Sequence, residues 1–80
     1  MKAINNLVEA TRSKRVGNHN VRIADTIRFF GYHDNTVCVA YDNLKVFSLD
    51  DCGWAGKPST TRTLNEYRNY FTSLGYTEVK

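Results

Sequence analysis

Residues 26–51, "TIRFFGYHDNTVCVAYDNLKVFSLDD", carry three polar pairs at a spacing of eight residues: Asp34-Asn35, Asp42-Asn43 and Asp50-Asp51. Aspartate and asparagine tolerate the left-handed backbone that tight hairpin turns require. The runs between them, TIRFFGYH, TVCVAY and LKVFSL, hold the β-branched and aromatic residues that strands favour. The pattern predicts an antiparallel three-stranded meander, and NVRIA at 20–24 offers a fourth strand.

Two-residue loops at the first two pairs would set the register. His33 then faces Thr36, Phe30 faces Val39, Tyr41 faces Leu44 and Val39 faces Val46. Directly opposed residues share a face. One face collects Phe30, Tyr32, Val37, Val39, Tyr41, Leu44 and Val46, and is expected to be core. The other holds Ile27, Phe29, Gly31, Cys38, Ala40, Phe47 and Leu49. A sheet with one wet face alternates apolar with polar residues, and this one does not. A cover is therefore expected on both faces.

Downstream, "DDCGWAGKPSTTRTLNEY" at 50–67 contains the only tryptophan and the only proline. It reads as a strand-to-helix corner. Gly53 turns the chain, Pro58 cannot continue a strand, and Ser59 or Thr60 caps a helix, with a second start signal at Thr63-Leu64-Asn65-Glu66. Leu64, Tyr67, Phe71 and Leu74 form an apolar stripe with Tyr70 beside it. Gly75 supplies the C-terminal cap, and Tyr76 folds back on the last turn. Trp54 is expected to anchor the corner, with Arg62 held by its ring or by Asp50 or Asp51. Upstream, Ile4, Leu7, Val8 and Thr11 predict a short amphipathic helix over 3–11. The C-terminal helix suits the face with the small residues Gly31, Cys38 and Ala40. The N-terminal one is left to cover Phe30, Tyr32 and Val39.

The expected fold is thus a single α+β domain over residues 1–80: an antiparallel three- to four-stranded β-meander with a short N-terminal helix and a C-terminal helix. A chain of 80 residues buries only roughly 60% of its unfolded surface, so the core is small. Hydrophobic residues make up 41% and charged residues 24%, which fits an ordered domain and not a disordered segment. No apolar run is long enough to span a bilayer. The first fifteen residues lack the apolar centre of a secretory signal, so a cytoplasmic location is expected, with Cys38 and Cys52 as reduced thiols.

Most chemistry finds no support. Gly56-Lys57 resembles a phosphate cradle, but Pro58 follows it, and Asp51 stands where the first glycine of such a loop belongs. His19, His33, Cys38 and Cys52 lack the spacing of tetrahedral zinc ligands. No nucleophile–base arrangement is recognisable, so no enzyme activity, metal or small-molecule cofactor is expected. The net charge of +3 weakly favours an anionic partner.

The Gly53-Trp54 corner followed by Thr60, Thr61, Arg62, Leu64 and Asn65 resembles a pattern in small uncharacterised bacteriophage proteins. There a Gly-Trp corner precedes a Thr-Thr-Arg-x-x-Leu-Asn helix start. The resemblance spans about 60 residues of this chain, with a looser match through GNHNVRIADTIRFFGYHDN. It implies a small phage product acting in the cytoplasm of an infected host cell, where such proteins bind host machinery or inhibit host defence. The function expected first is therefore non-enzymatic binding of a protein: a host factor, a host-defence component or a second copy forming a homodimer. Tyr32, Tyr41, Leu44, Trp54 and Arg62 are the candidate contact residues. The alternative is a small nucleic-acid-binding module that uses the basic 12–22 region, with Arg12, Lys14, Arg15 and Arg22 on the phosphates.

Overall fold

The computed structural model describes residues 7–33, 35–50, 53 and 57–79. The elements in order are β1 (Lys14–Val16), β2 (His19–Ala24), β3 (Ile27–Tyr32), β4 (Asn35–Tyr41), β5 (Val46–Leu49), α1 (Pro58–Ser73) and β6 (Thr77–Val79). They build one six-stranded sheet in the order β1-β2-β3-β4-β5-β6. The first five strands form an antiparallel meander, and β6 runs parallel to β5. The α+β class holds, but the sheet is larger than three or four strands. It gains β1 at one edge and β6 at the other.

The expected N-terminal helix is not among these elements. Leu7 and Val8 keep helical backbone, but the chain has left it by Glu9, and residues 1–6 lie outside the described residues. The Ala10 amide donates to the Leu7 carbonyl at 3.2 Å, closing a last turn. Leu7 and Val8 are buried in the same core as Phe30, so this segment and α1 belong to one side of the sheet.

The tight turns are not the ones the polar pairs predict: a tight turn joins Tyr32 to Asn35, but Asp42-Asn43 opens a four-residue loop. The tight turns fall at 17–18, at 25–26 and between Tyr32 and Asn35, and each opens with a left-handed residue: Gly17 at φ 60°, Asp25 at φ 59° and His33 at φ 51°. The last of these turns comes one residue earlier than expected, so Asn35 pairs with Tyr32 inside the sheet. A bulge between Phe30 and Gly31 then shifts the register again. Phe30 opposes Cys38 and Phe29 opposes Val39. The next loop takes four residues, 42–45, and brings Tyr41 opposite Val46.

A one-residue slip moves every side chain of a strand to the other face. That happened to β3 against β4. The inner face holds Val21, Phe30, Cys38, Ala40 and Phe47, and the bulge lets Val37 and Cys38 both be buried. The face expected as core is split. Phe30 and Val37 lie inside, whereas Val39, Tyr41 and Val46 are half-buried and belong to no core cluster. Helix α1 does cover Cys38 and Ala40, as their small size suggested, but Gly31 is on the outer face.

Helix α1 begins at Pro58 with Lys57 as its N-cap and no side-chain cap, so Ser59 and Thr60 lie inside the first turn. Its buried side is Thr60, Thr63, Tyr67 and Phe71. Leu64 is only half-buried and Leu74 is 53% exposed, so the buried stripe keeps Tyr67 and Phe71 of the expected one and takes Thr60 and Thr63 in place of the two leucines. The Thr63 hydroxyl is satisfied by donating to the Ser59 carbonyl at 2.9 Å. Gly75 ends the helix as expected, at φ 89°. The Tyr76 amide reaches the Phe71 carbonyl at 3.0 Å and the Gly75 amide reaches Thr72 at 3.0 Å. This is the paired closure of a Schellman cap, and the Tyr76 ring sits 5.1 Å from Phe71 as its apolar contact. Phe71 also meets Phe30 at 5.7 Å and Phe47 at 5.4 Å, and Tyr67 meets Phe30 at 4.9 Å.

Arg28 locks this assembly. It sits on the inner side of β3, and its Nε and Nη2 donate to both Asp42 oxygens at 2.8 Å. Its Nη1 donates to the Val8 carbonyl at 2.7 Å, and the Tyr76 hydroxyl joins Asp42 at 2.7 Å. The guanidinium also lies 5.5 Å from the centres of the Phe30 and Phe71 rings. Burial opposes the charge on Asp42, but hydrogen bonds from Arg28 and Tyr76 outweigh it and hold the carboxyl below its usual range.

Two outcomes follow from the core. Tyr67 is fully buried, and among the described residues its hydroxyl finds no hydrogen-bond partner. A buried unpaired hydroxyl costs about 1–3 kcal/mol, so Tyr67→Phe should raise stability by about 1 kcal/mol in urea titrations. A clear loss would mean that the hydroxyl is satisfied. For Asp42, a folded value below the unfolded one means its stabilisation is complete above about pH 4 and is lost as pH falls through the folded value. His19 is depressed too, by burial first and the neighbouring His33 second, so it adds a separate loss that begins below about pH 6.5. Asp42→Asn should remove the lower step from a stability-against-pH profile. It should also cost about 2–3 kcal/mol at pH 7, short of the roughly 3–5 kcal/mol for a fully buried pair.

Candidate functional site

The outer face of the sheet is where α1 and the Leu7–Ala10 segment are not. By register it carries Arg15 from β1, Asn20 and Arg22 from β2, and Ile27, Phe29 and Gly31 from β3. It continues through Thr36, Val39 and Tyr41 of β4 to Val46 and Ser48 of β5. None of these strand residues carries a carboxylate. The described acids are Glu9 before β1, Asp25 in a turn, Asp42 on Arg28, Asp50 just after β5 with its amide on the Val37 carbonyl at 2.8 Å, Glu66 on α1, and Glu78 paired with Arg68 of α1 at 2.8 Å.

A groove of about 200 Å³ crosses the β1–β4 part of this face. Arg15, Asn20 and Arg22 line one wall, and Asn35 and Thr36 the other, with Phe29 and Gly31 between them. The Arg22 guanidinium lies 5.0 Å from the centre of the Phe29 ring, so cation and aromatic form one platform. A methyl group on Gly31 would come within 2.6 Å of the Asn20 amide oxygen, so the missing side chain lets Asn20 lie across the sheet. The bulge at Gly31 and the early turn at His33 place Thr36 opposite Gly31 on the outer face and bring Asn35 to the groove's rim, with its side-chain amide on the His33 carbonyl at 3.0 Å. Arg15 and Thr36 each also hold an interaction within the chain.

The basic residues singled out from the sequence divide between sites. Arg15 and Arg22 meet in the groove, while exposed Arg12 precedes β1 and Lys14 faces the other side of the edge strand. Sequence reasoning missed Phe29, Asn20 and Thr36, because they join the groove only through the observed register.

The residues expected to contact a protein are not brought together. Tyr32 lies on the inner side, stacked 4.8 Å from His19 and packed against the core. Tyr41 is half-buried on the outer face, and Leu44, 66% exposed, sits in the 42–45 loop. Arg62 is exposed on α1, at a distance in sequence from all of them. Trp54, with Asp51 and Cys52, lies outside the described residues, as do the expected contacts of Arg62 with Trp54 and Asp51. Gly53 does turn, at φ 81°.

A second concavity, lined by Tyr32, His33, Lys57, Ser59 and Thr60, opens at the start of α1. Cys38 is a free thiol buried under the helix, and burial pushes its pKa up, away from nucleophilic reactivity. No described helix is long and apolar enough to cross a membrane. No family model, no curated protein and no solved structure matches the chain.

Proposed function

We propose that this protein is a non-enzymatic binding module whose open sheet face takes nucleic acid. One observation carries the reading: the residues lining the groove present two arginines and an aromatic ring without a carboxylate. Phosphates are held by arginine, and a groove lining without acid avoids repulsion of the backbone. The resemblance to small phage proteins supports a setting inside an infected bacterium.

The test is fluorescence anisotropy of a labelled oligothymidine of roughly 12 nucleotides, within the length one small domain covers, across a potassium chloride series. Each phosphate neutralised on a single strand contributes about −0.7 to the slope of log affinity against log salt, so one to two arginines give about −0.7 to −1.4. Arg22→Ala should weaken binding and make the slope shallower by about 0.7. Binding that ignores salt, or no binding, overturns the reading.

A second reading, that the partner is a host protein, a host-defence component or a second copy, is favoured by Leu44 at 66% exposure. It stands next to the half-buried Tyr41 and Val46 at the apolar end of the outer face. A monomer mass in light scattering at high concentration would remove the homodimer, and Leu44→Glu should abolish a protein contact made there.

A further inference from the structure

We infer that the groove selects single-stranded over duplex nucleic acid by stacking an unpaired base on the Arg22–Phe29 platform. This rests on the nucleic-acid reading above and adds to it which form of nucleic acid is bound.

Charge makes the first argument. Two arginines on a face neutralise few phosphates, and Arg15 already has an interaction within the chain. Electrostatics from so few contacts is a small, salt-sensitive term, whereas sequence-independent duplex binders rely on many phosphate contacts. Useful affinity must come from something else. Base stacking supplies it, and only an unpaired base has a free face to stack.

Geometry makes the second argument. Duplex DNA is read by a helix or a two-stranded ribbon that projects into a groove. The outer face is made from the middle of β1–β5, and the long helix is on the opposite side. The residues lining the groove all come from the sheet, and no helix contributes to it. The guanidinium of Arg22 over the Phe29 ring at 5.0 Å offers a base something to stack on, because both rings and guanidinium planes stack on bases. The amide of Asn20 and the hydroxyl of Thr36 border the platform and can hydrogen-bond the edge of a base held there.

The experiment compares three labelled probes of equal length with the whole protein at one low salt concentration: oligothymidine, the same strand with abasic sites throughout, and a duplex. The abasic strand keeps every phosphate and removes every stacking face. The expected result is that it and the duplex each bind roughly tenfold or more weakly than oligothymidine. Arg22→Lys keeps the charge but not the plane. It should bring oligothymidine binding down toward the abasic level while leaving the salt slope in place. Phe29→Ala should do the same, with circular dichroism and thermal melting confirming the fold. If Phe29→Ala does not fold, the probe comparison and Arg22→Lys still decide. Equal binding of all three probes overturns the stacking inference and leaves the nucleic-acid reading standing. Tighter binding of the duplex also overturns it. No binding of any probe overturns both.

Discussion

Arg28 and Asp42 hold together parts of the chain that no local rule would join. The guanidinium stands on β3, its carboxylate partner at the first position of the 42–45 loop, and the Val8 carbonyl and Tyr76 hydroxyl close the group. Four segments spread from residue 8 to residue 76 therefore meet at one partly buried charge pair. Such a pair contributes less through net attraction than through the penalty for misplacing it. An arginine taken from water without its carboxylate is costly, so arrangements that separate the two are disfavoured. With side-chain exposures of 13% and 32%, the pair is dry enough for that penalty to matter. The aromatic cluster of Phe30, Phe47, Tyr67, Phe71 and Tyr76 then packs around and beside the guanidinium, and cation and ring reinforce one geometry.

The same pair bears on the outer face. Placing Arg28 inward puts its neighbours Ile27 and Phe29 outward, because side chains alternate along a strand. Phe29 is thereby made available to Arg22, its direct partner across the β2–β3 ladder. The bulge near Gly31 absorbs the conflict between that alternation and the early turn, and it allows both Val37 and Cys38 to be buried. Core and proposed interface are two consequences of one register.

Strands in this chain were legible because turns and β-formers are local. The run of β-strands, the Gly75 cap and the return of Tyr76 onto Phe71 all follow from local preferences within a few residues. Arg15 and Arg22 were legible as a basic region for a similar reason, since they are near in sequence. The groove between them was not. Asn20, Phe29 and Thr36 lie on three different strands, and which of them share a face depends on pairing, where a shift of one residue inverts the answer. His33, Asp34 and Asn35 are all acceptable turn residues, so composition alone left the phase of that turn open. The helix was misjudged in a related way. Leu64 and Leu74 are more apolar than Thr60 and Thr63, yet the aromatic pair Tyr67 and Phe71 points α1 at the sheet and takes the threonines inside with it.

Sequence by itself therefore determined the class of the fold, the run of hairpins and the site where the helix stops, all from interactions that span a handful of residues. Only the tertiary structure decided the register of β3 on β4, the addition of β6 as a parallel edge, the inward position of Arg28 and the identity of the open face. A three-residue strand such as β6 has too little periodicity to announce itself, and it forms because Tyr76 and Glu78 are pulled to partners on the 42–45 loop and on α1. Each of these features depends on contacts between residues far apart in the chain. Their energies are comparable among several local alternatives until packing and a single well-placed charge pair separate them.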